Sequence, residues 1–371
     1  MNSDGQSSDR LMSIDALRGF DMFWIIGGNA LVMSFVKLFV TPPPEWLQHQ
    51  FSHVEWEGFT AWDLIMPLFL FITGASMPFS FGRRLKEGQN KTALYMKIVR
   101  RTLLLFVLGI AAQGNLFKWD LAQLHLYCNT LQSIAAGYIV AAFALLHLRI
   151  VWQFALAVGL MVVYWVLMMF VPTPGHGAAM LEPGANLALW VDETILRSFR
   201  DGTSYTWILS SLTFASSVLL GVMGGHILKS SLDANRKTLY LAGAGVACLL
   251  SGYLWSFHFP IIKHLWTSSM TLWAAGWSFL LLAMFYWVID VAGFRRWAFP
   301  FVVIGMNAIA VYMAVQVFGD SFMVAADELT GGGGLMPART GFHEFLRYAI
   351  RFGIIWLILL YMYRKKTFLR V

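Results

Sequence analysis

The densest group of polar side chains in this 371-residue sequence is the run Phe51, Ser52, His53, Val54, Glu55, Trp56, Glu57, Gly58, Phe59, Thr60, Ala61, Trp62, Asp63. A neutral imidazole is the usual general base near pH 7, so His53 is the first candidate for chemistry. Asp63 or Glu55 would hold its ring, and an ordinary exposed loop histidine is the alternative reading. Asp63 also has a local role, because Thr60 with an acid three residues later forms a capping box ahead of the apolar run 64–71. Upstream, Asp15, Arg18 and Asp21 recur at spacings of three and lie near one helix face, as an ion network or as a seat for an anionic ligand. Gly27 and Gly28 then weaken the helix and admit a close neighbour beside Asn29. At 1.5 Å per residue, Asn29 stands about 21 Å along the helix from Asp15. Its amide either bonds between helices or offers its NH2 to a developing oxyanion.

Several chemistries are disfavoured. The remaining histidines are scattered, and no HExxH or CxxC spacing occurs, so nothing argues for zinc. No Gly-x-Ser-x-Gly elbow is present, which disfavours a serine hydrolase. The run Gly331, Gly332, Gly333, Gly334 is not followed by Gly-Lys-Ser/Thr and reads as a flexible loop rather than a P-loop. Cys128 and Cys248 fall near a helix end and inside an apolar run, so a structural disulfide is not expected.

The elements that must position these residues follow from composition. Hydrophobic residues make up 58% of the chain and charged residues 13%, against roughly 25% charged in a soluble domain. Apolar stretches of about 20 residues, enough to cross a hydrocarbon core of roughly 30 Å, recur throughout. The spacing predicts helices near 16–38, 60–80, 99–117, 129–148, 152–171, 206–228, 239–257, 269–290, 299–318 and 346–363. The expected fold is therefore an all-α integral membrane protein, a bundle of about ten transmembrane helices in a single domain over 1–371, with 1–12 as a short N-terminal tail. The net charge of +7 sits in short clusters between apolar runs, which marks topology rather than nucleic-acid binding. With the N-terminus cytoplasmic, 19 of the 27 basic residues fall inside, and both termini are expected there. The two longest connections, 172–205 and 319–345, then lie outside with His53. The first apolar run exceeds a signal-peptide core and is expected to remain uncleaved.

Taken together, Ser13-Ile14-Asp15-Ala16-Leu17-Arg18-Gly19 and the set His53, Trp56, Gly58, Thr60 and Asp63 resemble the heparan-alpha-glucosaminide N-acetyltransferase family. The resemblance continues through Phe71-Ile72-Thr73-Gly74-Ala75-Ser76, Leu131-Gln132, Val171-Pro172-Thr173-Pro174-Gly175, Leu220-Gly221-Val222, Leu265-Trp266-Thr267-Ser268-Ser269, Gly305-Met306-Asn307 and Tyr363-Arg364-Lys365-Lys366. It implies a multi-helix membrane enzyme that uses cytosolic acetyl-CoA to acetylate a glucosamine amine on the far side of the membrane. The family's catalytic His and Asn fall on His53 and Asn29. Asp63 is expected to orient the base, while Trp56, Glu55 and Glu57 face the acceptor. Asp15, Arg18, Arg100, Arg101, Arg364 and Lys365 are the candidates for the CoA end, with pure topology signals as the alternative for the basic ones. Two departures touch the acceptor side: the stretch from Asn29 to His53 is longer than in lysosomal members, and Glu57 replaces an Asn. The chain looks like the compact bacterial form, for which a multi-pass inner-membrane location is expected. An amino sugar or glycan is the expected partner, alongside membrane lipid and with no nucleic acid; a homo-oligomer stays open. The competing readings are a membrane O-acyltransferase of a cell-surface glycan and an amino-sugar transporter, the latter disfavoured because no repeat of broken helices is visible.

Overall fold

The computed structural model describes residues 11–86, 91–330 and 341–368. Arg10, the glycine run 331–334 and Arg370 lie outside them, as do the side chains of Arg83, Arg84, Lys86 and Lys91. The first span starts as α1 (Met12–Phe23), passes through a π-helical turn (Trp24–Gly28), and continues as α2 (Asn29–Lys37). Gly27 adopts φ 122°, a conformation that side chains other than glycine rarely take, so the glycine pair sets the bend and Asn29 opens the helix beyond it. A short α3 (Glu45–Gln50) precedes α4 (Ile65–Lys86), α5 (Lys91–Gln113), α6 (Thr130–His147) and α7 (Ile150–Phe170). The rest comprises α8 (Leu187–Leu196), α9 (Ser211–Lys229), α10 (Ala234–Ser256), α11 (Ser268–Tyr286), α12 (Phe299–Gly305), α13 (Ala308–Leu329) and α14 (Gly341–Arg364).

Among the described residues, nine helical segments are long and apolar enough to cross a membrane. The 23-residue α5 has comparable length but carries Lys97, Arg100 and Arg101. Helix starts follow side-chain chemistry. Asn129, Asn186, Asp233 and Thr267 each accept a hydrogen bond from a first-turn N–H of α6, α8, α10 and α11, satisfying donors that the helix itself cannot.

Small residues let the spans approach closely, which is how helices associate where lipid removes the hydrophobic drive between them. A Cβ added at Gly74 of α4 would overlap the Val218 carbonyl of α9, and one at Gly221 of α9 would overlap the Phe71 carbonyl. Gly19 of α1 and Gly305 of α12 meet each other's backbones in the same way, through the Phe301 and Asp15 carbonyls. These contacts seat α1 in the buried centre, where Ala16, Leu17 and Met22 are fully enclosed.

Several boundaries differ from the sequence expectation: α5, for example, begins at Lys91 rather than near 99. The helix expected over 299–318 is broken at Asn307 (φ −127°, ψ 32°), and its longer part runs on to Leu329. Asp327 on that extension pairs with Arg347 of α14, so residues that read as loop are held as helix by an ion pair. The helix expected from 206 begins at Ser211, because the backbone N–H groups of Trp207 and Ile208 donate instead to the buried Asp192 carboxylate at 2.7 and 2.9 Å. The expected 172–205 loop contains α8.

Candidate active site

Three connections meet at the end of the bundle opposite the start of α1: residues 38–61, 171–210 and 257–267. The Gly58 N–H donates to Ile261 O at 2.9 Å, and Glu57 pairs with Ile262 in an isolated bridge. Thr206 N–H donates to His264 O at 3.0 Å, and Trp56 Nε1–H donates to Leu181 O at 3.0 Å.

Within this cap, His53 Nδ1 lies 2.7 Å from Asp63 Oδ1. The other carboxylate oxygen, Oδ2, accepts from the Thr60 N–H at 3.1 Å and the Thr60 hydroxyl at 2.9 Å. The capping box expected from the spacing is only half formed, because the Asp63 N–H donates to the Thr60 carbonyl rather than to its side chain; the same carboxylate that holds the Thr60 N–H ahead of α4 faces the imidazole. Asp63 is 1% exposed and the His53 side chain 45% exposed, so one nitrogen of the ring is anchored and the other edge is accessible. Of the two acids weighed as its partner, Asp63 is within hydrogen-bond distance; Glu55 and Glu57 are exposed. Asn29 joins the group through the backbone, its Nδ2 donating to Phe51 O at 3.4 Å, two residues before His53. Aromatic rings frame the segment, with Phe51 5.3 Å from Trp24 and His53 6.3 Å from Trp62.

The sequence reading missed Lys263. Its Nζ lies 3.2 Å from both Asp63 Oδ1 and His53 Nδ1, and its side chain is 5% exposed. Burial pushes its ammonium below the usual lysine range, and the Asp63 charge opposes that shift. A signal was available: Lys263 is a lone charge in Phe259-Pro260-Ile261-Ile262-Lys263, where an apolar setting implies a buried counter-ion. Next to it, His264 stacks on Tyr205 at 4.2 Å, meets Trp56 edge-on at 5.2 Å, and hydrogen-bonds Ser204 Oγ through Nδ1 at 2.6 Å. Burial, then the Lys263 charge, lowers His264 to about 4, so it is neutral at pH 7.

The residues expected at the CoA end are distributed differently. Arg18 and Asp15 form an ion pair at 3.3 Å on α1, and the Ser13 N–H donates to Asp290 Oδ2 at 3.2 Å. Tyr363 packs into the cluster containing Ile14 and Leu17, which brings Arg364 and Lys365, both exposed, to the same end. Arg100 is exposed on α5, whereas Arg101 turns inward with its guanidinium 4.4 Å from the centre of the Tyr138 ring. Adjacent helical residues diverge by about 100°, so these two arginines do not share a face. Asp21, grouped with Asp15 and Arg18 by spacing, is fully buried, and neither of its carboxylate oxygens has a hydrogen-bond partner among the described residues. Among the described residues, no group of three or more His, Cys, Asp and Glu side chains is arranged to hold a metal ion.

No protein-family model matches the chain. Among curated proteins, the chain is similar to the heparan-alpha-glucosaminide N-acetyltransferase of Mus musculus, 26% identical over 435 residues that take in 100% of this chain and 63% of that protein. The enzyme of the same name from Homo sapiens is 25% identical over 428 residues, covering 98% of this chain and 60% of the relative. The chain thus spans less than two thirds of the length of the curated relatives it matches. The chain combines a helical fold with membrane-length spans and a similarity to named heparan-alpha-glucosaminide N-acetyltransferases that runs from one end of its sequence to the other.

Proposed function

We propose that this multi-pass membrane protein transfers an acetyl group from acetyl-CoA to the amine of a glucosamine-type sugar or glycan, with the two substrates entering from opposite faces of a bacterial inner membrane. The observation that carries the reading is the His53–Asp63 pair, anchored at Nδ1 and open at the other edge of the ring. Its weight comes from the chain's similarity to named N-acetyltransferases.

Nδ1–H donates to Asp63, which leaves the Nε2 lone pair to take a proton from the attacking amine as its nitrogen bonds to the thioester carbonyl carbon. The carbon–sulfur bond then breaks, and the departing sulfur receives the proton back from His53. General-base help of this kind is typically worth about 10²- to 10⁴-fold. Asn29 Nδ2 has a second N–H beyond the one directed at Phe51 O, and it is suited to the charge that builds on the thioester oxygen. Trp56 and the His264–Tyr205 stack offer apolar faces to the sugar. Arg18, Arg364 and Lys365 at the far end suit the phosphates of CoA, since guanidinium and ammonium groups pair with phosphate oxygens.

The test uses purified full-length protein with labelled acetyl-CoA and D-glucosamine or glucosamine-terminated oligosaccharides. Labelled product resistant to mild alkali is the expected amide; an alkali-labile product would favour O-acylation. His53→Ala should lower turnover by at least about 10²-fold while leaving CoA binding intact. A folded His53→Ala variant keeping more than about a tenth of wild-type turnover would remove His53 as the base.

A further inference from the structure

Lys263 touches both His53 and Asp63, yet the proton transfer described above makes no use of it. The loop that carries it is tied on every side. Ile261 O accepts from Gly58, Ile262 N–H donates to Thr267 Oγ1 at 3.1 Å, Lys263 O accepts from Trp266 N–H at 3.0 Å, and His264 O accepts from Thr206. The ammonium is thereby fixed at the point where the Asp–His pair is closed to solvent.

We propose that Lys263 is a positioning residue that keeps His53 neutral, and so able to accept a proton, by acting as the counter-ion of Asp63. The proposal rests on reading His53 as the base. A buried carboxylate with no cation beside it lowers its free energy by drawing a proton onto the neighbouring imidazole, and an imidazolium has no lone pair to offer. With Lys263 in place the carboxylate is already balanced, and the ammonium 3.2 Å from Nδ1 also opposes a second positive charge there. The other groups facing His53 do not supply this balance. His264 is neutral near pH 7, and burial lifts Tyr205 to about 12, so its phenol is neutral as well. Glu55 and Glu57, on the same segment as His53, are exposed, and solvent screens them.

Carbethoxylation by diethyl pyrocarbonate modifies neutral imidazole, so its pH dependence reports whether His53 carries a proton, and no acceptor substrate is needed. The full-length protein in detergent is treated across a pH series, and modification at His53 is followed by peptide mass mapping, with the exposed His176 as internal reference. Lys263→Met should move the His53 midpoint upward by at least about one pH unit, the usual effect of changing a charge at this range, while His176 stays fixed. Lys263→Arg, which keeps the charge, should restore the wild-type midpoint. Should Lys263→Met not fold, Lys263→Gln keeps a donor to Asp63 without the charge and should show the same upward movement. An unmoved His53 midpoint in either folded, uncharged variant overturns the proposal. Failure of the underlying base reading shows separately, as acetyl transfer that survives His53→Ala even though the midpoint still shifts.

Discussion

Asp63 meets three neighbours with two oxygens: Oδ2 accepts from the N–H and hydroxyl of Thr60 ahead of α4, and Oδ1 faces His53 and Lys263. Asp63→Asn leaves the Lys263 charge buried without its partner. Breaking a buried pair from one side typically costs about 3–5 kcal/mol, so the thermal midpoint in detergent should fall steeply. Adding Lys263→Met to that variant removes the stranded charge and should recover most of the loss, because the interaction between the two sites is not additive. His264 gives a second prediction at this scale. Its value falls from the usual 6.5 to about 4 in the folded cap, so the unfolded chain binds its proton at higher pH than the native one does. The stability gained by keeping His264 neutral is complete above about pH 6.5 and is lost as pH drops through about 4. His264→Phe preserves the stack on Tyr205 without a titrating ring, so thermal midpoints measured from pH 7 to 4 should fall less steeply than in the wild type.

At the scale of elements, the bend in the first span and the glycine contacts between spans position the site. Gly27 at φ 122° directs the chain into α2, and a Cβ there would lie 2.8 Å from Arg351 Nη1. The Arg351 guanidinium can swing aside, so the cost of Gly27→Ala is backbone strain at that φ; the variant should misplace Asn29 and, on the proposed function, lower acetyl transfer more than CoA affinity, which a KM-against-kcat comparison checks. The α4–α9 contact is unforgiving in a different way. At Gly74 and Gly221 the obstacle is backbone, which cannot rotate aside as a side chain would. Gly74→Leu should separate the two helices and shift the detergent-solubilised protein toward aggregates on size-exclusion chromatography, whereas Gly243→Leu, with open space around it on α10, should remain monodisperse.

Across the whole molecule, the charged α1 end and the His53 end stand at opposite ends of the spans. The charge bias along the sequence supports the α1 end as cytoplasmic. In a background lacking Cys128 and Cys248, a cysteine at the exposed His176 should react with an impermeant thiol reagent in intact cells, and one at Asp233 should not. The reverse pattern would put His53 in the cytoplasm and exclude two-sided transfer. Acetyl-CoA, if it binds the folded chain, should raise the thermal midpoint by mass action, by about 2.7 kcal/mol of stabilisation at a hundredfold excess over Kd. Charge reversal at Arg364 and Lys365 should weaken that shift without touching the His53 cap some 30 Å away across the hydrocarbon core.

Sequence alone determined the features that depend on neighbours along the chain. Apolar run length made the spans, the Thr60–Asp63 spacing marked the approach to α4, Gly27 with Gly28 marked the weakened helix, and His53 stood out among nearby acids. Tertiary structure decided what depends on distant partners. Lys263 is 200 residues from Asp63 in sequence and reaches it only because three connections converge. The choice of Asp63 over Glu55 beside His53 came from burial, which spacing does not encode. The extension of α13 through 319–329 rests on Asp327 meeting Arg347 of the next helix, and the inward turn of Arg101 rests on Tyr138 of α6. Local chemistry fixes where helices start, break and span, while burial, counter-ion pairing and the assembled cap depend on which helices pack together, and that is settled only when the chain closes on itself.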